Sequence, residues 1–269
     1  MKIVPIIFSK NRPMQLRAHL ESMRAYTGFY DQINVITPTP DIYKDVCHDF
    51  WNVNLIDEKT QGGFHVALTG LVNSLVENDV VLFSVDDFIY ANYFNLHNGL
   101  ILNNSPLSSV IGFTLRMGKN TVPYNDQWNV CDTPPFIIYD WRGKPSHLGY
   151  PFDVSCSMYR VSVVKEIFNL MKRPMNIPND TEAFGVTAVM NELSGKYPHY
   201  MMHNGNAIGA CADINRVQDL YQNRTQGGEQ LTAENMIKMY QEGKRIDWMR
   251  YYNIAPPEPF VGKEGMVIG

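Results

Sequence analysis

Residues 80–87 read Val-Val-Leu-Phe-Ser-Val-Asp-Asp, five apolar positions in a run of six, closed by two adjacent carboxylates. A short run rich in Val and Phe bounded by Asn78-Asp79 before it predicts a buried strand. Two neighbouring carboxylates at its end repel one another and cost desolvation, so the pair calls for a compensating cation. A divalent Mg²⁺ or Mn²⁺ meets that need, since such hard cations prefer carboxylate oxygens together with substrate phosphates. The other reading is a polar strand end with one Asp capping the next segment and its neighbour in solvent.

Working back from this strand, apolar runs alternate with helical spacing. Residues 3–8 (IVPIIF), 33–37 (INVIT) and 53–56 (VNLI) predict strands. Between the first two, Pro13 suits a first helical turn, Leu16, Leu20 and Met23 share one face, and Gly28 suits the stop. A short helix is expected over 41–50. After Gly62-Gly63, the positions Phe64, Leu68, Leu71, Val72 and Leu75 mark another helix face. Such βαβ alternation predicts a mainly parallel sheet with helices on both faces, where ligands bind beyond the carboxyl ends of the strands. Ser9–Pro13, Asp57–Gly63 and Asp86-Asp87 all fall at such ends and are expected to converge on one cleft.

Lys10 and Arg12 fall at a predicted helix N-terminus, where anions are stabilised. Asp57 is placed to accept hydrogen bonds from a base or ribose, and Gly62 permits close backbone approach to a ligand. No phosphate-loop motif and no G-x-G-x-x-G fingerprint occur.

Working forward, strands are expected over 109–116, 136–140 and 152–159, with a polar loop carrying Trp128 between the first two. Helices are expected over 162–171 and from Pro178 through Leu193, the latter burying Val186, Val189, Met190 and Leu193. Glu182 stands three residues after Asn179, the spacing of a capping box, so a capping and a catalytic job compete for it. His203 precedes the Gly-rich turn NGNAIG and is a candidate metal or phosphate contact. Thr232 suits a helix N-cap, with Leu231 and Met236 as its staple, and the Pro-rich tail after Tyr252 reads as a strap.

The 269 residues carry 23 Lys+Arg against 27 Asp+Glu, a net charge of −4. That excludes a protein built to grip nucleic acid through a basic surface. Hydrophobic residues at 45% argue against disorder. No apolar run reaches membrane-spanning length, and the N-terminal apolar run is too short for a signal peptide. Four widely spaced cysteines form no C-x-x-C pair, so reduced, buried or half-buried thiols in a cytoplasmic protein are expected. A single domain over 1–269 is expected, closed by a C-terminal helix and tail (226–269).

In order, IIFSKNRPMQLRAHLESM, INVIT, IDEKTQGGFHVALTGLVNSL and VVLFSVDDFIY resemble the opening of bacterial GT-A glycosyltransferases, enzymes of a Rossmann-like fold that use nucleotide sugars. YPFDVSCSMYR (150–160), PNDTEAF (178–184) and INRVQ (214–218) extend the resemblance over roughly residues 3–225. It implies sugar transfer from a nucleoside-diphosphate donor to an acceptor hydroxyl, such as that of a glycan or glycolipid precursor, assisted by Mn²⁺ or Mg²⁺. Under it, Ser9–Pro13 forms the first nucleotide-binding loop, with Ser9, Lys10 and Arg12 near base or phosphate, and Asp57 faces the base. Asp87 coordinates the metal on the diphosphate, and Asp86 contacts ribose or metal. Glu182 is general base in an inverting reaction. Asn215 and Arg216 belong to a segment closing over the diphosphate. The resemblance also implies a nucleotide-binding half (1–90) and an acceptor-side half (91–225), the latter offering Trp128, Tyr139 and Trp141 as candidates for stacking on sugar rings. Two departures stand out. The acidic motif reads Val85-Asp86-Asp87-Phe88 rather than D-x-D, and His203 is the candidate for a C-terminal histidine ligand that has no plain counterpart here. A nucleotidyltransferase and a non-catalytic sugar- or nucleotide-binding module are the alternatives.

Overall fold

The computed structural model describes residues 1–217 and 229–261. Its first half is the expected alternation. β1 (Ile3–Phe8), α1 (Pro13–Thr27), β2 (Ile33–Thr37), α2 (Lys44–Asp49), β3 (Val53–Asp57), α3 (Phe64–Ser74) and β4 (Val80–Val85) follow in order. β4 leads through Asp86-Asp87 into β5 (Phe88–Tyr90), and then come β6 (Val110–Gly118), β7 (Asn129–Thr133), β8 (Phe136–Asp140) and β9 (Ser157–Arg160). α4 (Val161–Leu170), α5 (Pro178–Ala188), β10 (His199–His203), β11 (Gly209–Ala212), α6 (Ala233–Gln241) and β12 (Phe260–Val261) complete the chain.

Nine strands form one sheet in the order β3-β2-β1-β4-β9-β6-β10-β8-β7. The pairs β3-β2, β2-β1, β1-β4 and β6-β10 are parallel, whereas β9 runs antiparallel to both β4 and β6, and β8 to β10 and β7. This is the expected α/β, mainly parallel sheet, with antiparallel insertions. Alternate residues of one strand enter different cores: Val80 and Leu82 pack on the side that holds Leu16, Leu20 and Met236. Val81 and Phe83 pack on the side of Leu68, Val164 and Val189. Helices α1 and α6 therefore cover one face, and α3, α4 and α5 the other, which is why the strands read as unbroken apolar runs.

A second sheet, β12-β11-β5, stands where β4 ends. β5 pairs antiparallel with β11 through Ile89 and Ala210, and β12 joins parallel to β11. The Pro-rich tail is thus tied down at Phe260-Val261. Sequence periodicity shows none of β5, β10, β11 or β12.

Several local expectations need correction. Residues 151–154 are irregular and the strand begins at Ser157. The Trp128 loop holds a strand, β7, whose Cys131 is exposed, whereas Cys47 is half-buried and Cys156 and Cys211 are buried. Met190 is 45% exposed, because α5 gives way to a wider turn over Val189–Leu193 and the helical face rotates there. Tyr139 and Trp141 are core residues, Trp141 donating its indole N–H to the Tyr197 carbonyl at 2.7 Å, so neither faces a sugar. Trp128 lies against the Lys144 ammonium, 5.0 Å from its ring centre, away from the cavity described next. Among the described residues, no helix is long and apolar enough to cross a membrane.

Candidate active site

A cavity of about 700 Å³ opens at the carboxyl ends of the strands, in the usual size range for small-ligand sites. The strand order sets what lines it. Pro38 follows β2, Glu58 follows β3, Ser9, Lys10 and Arg12 follow β1, and Asp86-Asp87 follow β4. Arg116 of β6, Ser155 before β9 and Glu182 of α5 form the other part of the wall. The small sheet contributes Cys211 and Phe260, and the segment after β11 adds Asp213, Asn215 and Arg216.

The acid pair has its cation, and it belongs to the chain. Asn11 adopts a left-handed backbone (φ 56°), and Arg12 follows as the N-cap residue of α1. The Arg12 Nη1 donates to Asp86 Oδ1 at 3.0 Å and to Asp87 Oδ2 at 2.9 Å. Its Nε donates to the Asn215 side-chain oxygen at 2.8 Å, and its Nη2 to the Asn215 carbonyl. The Ser9 hydroxyl donates to Asp86 Oδ2 at 2.8 Å and meets the Tyr43 hydroxyl at 2.8 Å. Arg12 is therefore occupied by protein groups rather than presented to a phosphate, while Lys10 is the exposed cation of that loop. Burial pushes the Asp86 carboxyl up to about 6, with Arg12 pulling it down and Asp87 pushing it up.

Asp86 is 2% exposed and each of its oxygens takes a protein donor, from Ser9 and from Arg12, so it is the inner member of the acid pair. Asp87 keeps one oxygen outside the Arg12 contact, and its side chain is 16% exposed on the cavity wall. Among the described residues no three His, Cys, Asp or Glu side chains gather into a metal cage. One open carboxylate fits a cation that arrives on a diphosphate, since Mg²⁺-type sites commonly use one or two carboxylates plus phosphate oxygens.

Three further expected residues stand outside the lining. The Asp57 carboxylate accepts the Lys59 N–H at 3.0 Å and closes a turn. Its neighbour Glu58 faces the cavity instead, its carboxyl raised by burial, with Lys10 opposing. Gly62 has φ 90°, a conformation L side chains rarely adopt, and its work is to shape the entry to α3. His203 hydrogen-bonds the Asn206 carbonyl through Nδ1 at 2.9 Å and packs against Phe94, so it stands apart from the acid pair's cavity. Asn215 and Arg216 do line the cavity, Asn215 held by Arg12. Gln218, the end of the INRVQ segment, lies outside the described residues.

Glu182 is released from the capping job. α5 begins at Pro178 after Ile177, so Asn179 is already inside the first turn, and Asp180 accepts the Asn176 N–H at 2.8 Å. Glu182 faces the cavity beside a second buried cluster, absent from the sequence reading. Arg116 Nη2 lies 3.2 Å from Asp153 Oδ2, with the two side chains 6% and 4% exposed. Asp153 also accepts the Ser155 N–H at 2.6 Å and the Ser157 hydroxyl at 2.9 Å. Burial raises the Glu182 carboxyl to about 8, Asp153 pushes the same way and Arg116 opposes. The available signal was a lone Arg closing an apolar strand (VIGFTLR), since a buried guanidinium requires a buried partner.

The sheet, the acid pair beyond β4 and the cleft lined by carboxylates and cations define an α/β protein with a polar ligand cavity at the carboxyl ends of its strands. The chain is 25% identical over 283 aligned residues, 91% of its length, to the bifunctional glycosyltransferase pgtA of Dictyostelium discoideum. It spans 36% of that protein's length. Among solved structures, residues 1–349 of S. aureus TarS match with a TM-score of 0.47 at 15% identity, covering 78% of this chain and 60% of that one. A 4-diphosphocytidyl-2C-methyl-D-erythritol synthase matches at 0.45 and 14% identity, covering 81% and 93%. No protein-family model matches the chain.

Proposed function

We propose that the protein transfers a sugar from a nucleoside-diphosphate donor to a hydroxyl of an acceptor. The observation that carries this reading is one cavity holding both Asp87, an outward carboxylate at the end of β4, and Glu182, a carboxyl near neutrality. The sequence similarity to a glycosyltransferase supports it.

Breaking the bond between the anomeric carbon and the β-phosphate leaves negative charge on the diphosphate. Asp87 would hold a Mn²⁺ or Mg²⁺ ion carried by that diphosphate, and the ion would stabilise the charge as a Lewis acid. Lys10 and Arg216 line the same cavity and supply positive charge to the same oxygens. Ser9, Pro38, Glu58 and Phe64 form the wall beyond β1–β3, the part suited to the nucleotide. Glu182, once ionised, takes the proton of the attacking hydroxyl, and its raised proton affinity makes it a competent base near neutral pH. Arg12 and Asp86 fix Asp87 in place.

Calorimetry with uridine and guanosine diphosphates plus Mn²⁺, followed by donor hydrolysis, tests the reading. The expected result is binding, slow hydrolysis of one donor, and loss of both metal binding and turnover in Asp87→Asn. Binding without hydrolysis or transfer would instead favour a non-catalytic module. Formation of a sugar nucleotide from a nucleoside triphosphate would favour a nucleotidyltransferase.

A further inference from the structure

Helix α1 meets the acid pair at its start and the strand after that pair further along. Arg12, its N-cap residue, bonds to Asp86 and Asp87, while His19 and Ser22 of the same helix reach β5. β5 is the end strand of the small sheet, so its edge away from β11 would leave backbone groups unpaired. Residues three apart share a helix face, and these two take up that edge. The His19 Nδ1 lies 2.7 Å from the Phe88 carbonyl, and the Tyr90 N–H donates to the Ser22 hydroxyl at 3.1 Å. All four residues are fully buried.

An imidazole is not the least costly filler for that space. Burial lowers its pKa to about 4, so the ring is neutral, and the carbonyl facing Nδ1 places the single ring proton there. Nε2 is buried with no hydrogen-bond partner among the described residues. A leucine would pack without stranding a polar atom, so the bond to Phe88 is what the imidazole adds. That bond falls one residue beyond Asp87. The peptide groups before it are held as well. The Asp86 N–H donates to the Phe8 carbonyl at 3.2 Å, and the Asp87 carbonyl accepts the Ala212 N–H at 2.8 Å. β1, β11 and α1 thus grip three successive residues, and the Asp87 side chain stands on the cavity wall from the middle one.

We infer that His19, with Ser22 beside it, is a positioning residue for Asp87: by holding the Phe88 carbonyl it fixes the direction in which Asp87 presents its open oxygen to a metal-bound diphosphate. His19 itself stands outside the cavity lining and touches no substrate. The inference rests on the proposed glycosyltransferase reading.

Two variants separate the hydrogen bond from the packing of the ring, whose centre lies 6.2 Å from that of Phe88 and 5.5 Å from that of Tyr90. His19→Asn keeps an N–H donor one bond from Cγ, as Nδ1 is, and loses most of the ring. His19→Phe keeps a ring and loses the donor. The readout is Mn²⁺ binding in the presence of uridine or guanosine diphosphate by calorimetry, with thermal melting as the folding control. The expected result is affinity weakened about tenfold or more in His19→Phe and within about threefold of wild type in His19→Asn. Unchanged affinity in His19→Phe overturns the inference, as does equal loss in both variants. The reverse order, with Asn the more impaired, also overturns it and makes the ring a packing element only. A wild type that binds Mn²⁺ with neither diphosphate overturns the glycosyltransferase reading, and the inference with it. Should either variant fail to fold, Ser22→Ala removes the acceptor of the Tyr90 N–H and decides. Weakened Mn²⁺ binding upholds the grip of α1 on β5, and unchanged binding overturns it.

Discussion

The cavity holds two buried charge clusters built on opposite plans. Around Asp86, the charged groups are tied to one another inside the protein: Ser9, Arg12 and Asn215 close on the acid across three chain segments. Around Glu182, the matching is incomplete: Arg116 retains an orphan donor and Glu182 a proton near neutrality. A closed network holds geometry, because moving any member exposes an uncompensated charge. An open one is where a substrate adds something the protein lacks. Asp87 belongs to both plans, with one oxygen tied to Arg12 and its side chain on the cavity wall.

The largest expected effect separates the two plans. Glu182→Gln should lower the transfer rate by roughly 10²–10⁴ while donor affinity holds. In wild type the rate should rise with pH through an inflection at about 8, because the ionised carboxylate is the base. The same group gives a readout without substrate. Its native value is raised from 4.5 to about 8, so between those limits the folded state binds more protons than the unfolded one. Stability therefore falls as pH rises across that window, and the contribution present below about 4.5 is gone above about 8. Denaturant titrations of Glu182→Gln at pH 5 and pH 8 should show a shallower fall than wild type. A variant with lost transfer and lost stability at both values would return Glu182 to a structural role.

For the closed cluster, Arg12→Met should cost about 3–5 kcal/mol, since it strands Asp86 in the interior beside Asp87. Urea unfolding at pH 7 measures it. A loss under about 1 kcal/mol would mean that the acid pair is hydrated in solution and the two clusters are not the opposites described.

Asp153→Asn probes the open cluster more finely. It removes the acid that raises Glu182 and frees Arg116 to act on Glu182 alone, so both changes lower the inflection of the pH–rate profile. An inflection that stays in place or rises breaks the link between the ion pair and the base.

How much of this was legible in the sequence depended on the range of the contacts. β1 through β4 and their helices were readable because each strand is buried on both faces and each helix has one apolar stripe. The small sheet was not, since Ile89 finds Ala210 more than a hundred residues away and neither segment has a pattern of its own. Asp57 and Glu58 show a finer limit. Two adjacent acids at a strand end both look suitable, and the turn that Asp57 closes with Lys59 decides that Glu58 faces inward. The need of Asp86-Asp87 for a cation was readable from charge alone. Its supply by Arg12, 74 residues earlier than Asp86, was not.

The smallest effect tests whether the closed cluster is only a scaffold. Asn215→Ala removes the acceptor of the Arg12 Nε and the donor to the Leu231 carbonyl, but leaves the backbone acceptor of Nη2 and both carboxylates of the acid pair. One hydrogen bond to a charged, buried group is lost, which should cost about 1–3 kcal/mol in urea unfolding. Because Arg12 still reaches Asp86 and Asp87 through Nη1, Asp87 should keep its place, and the saturated transfer rate should stay within about threefold of wild type. A collapse of that rate with stability intact would show that the segment at Asn215 acts on substrate directly. The division between a cluster that holds and a cluster that reacts would then fail at the residue where the two come closest in role.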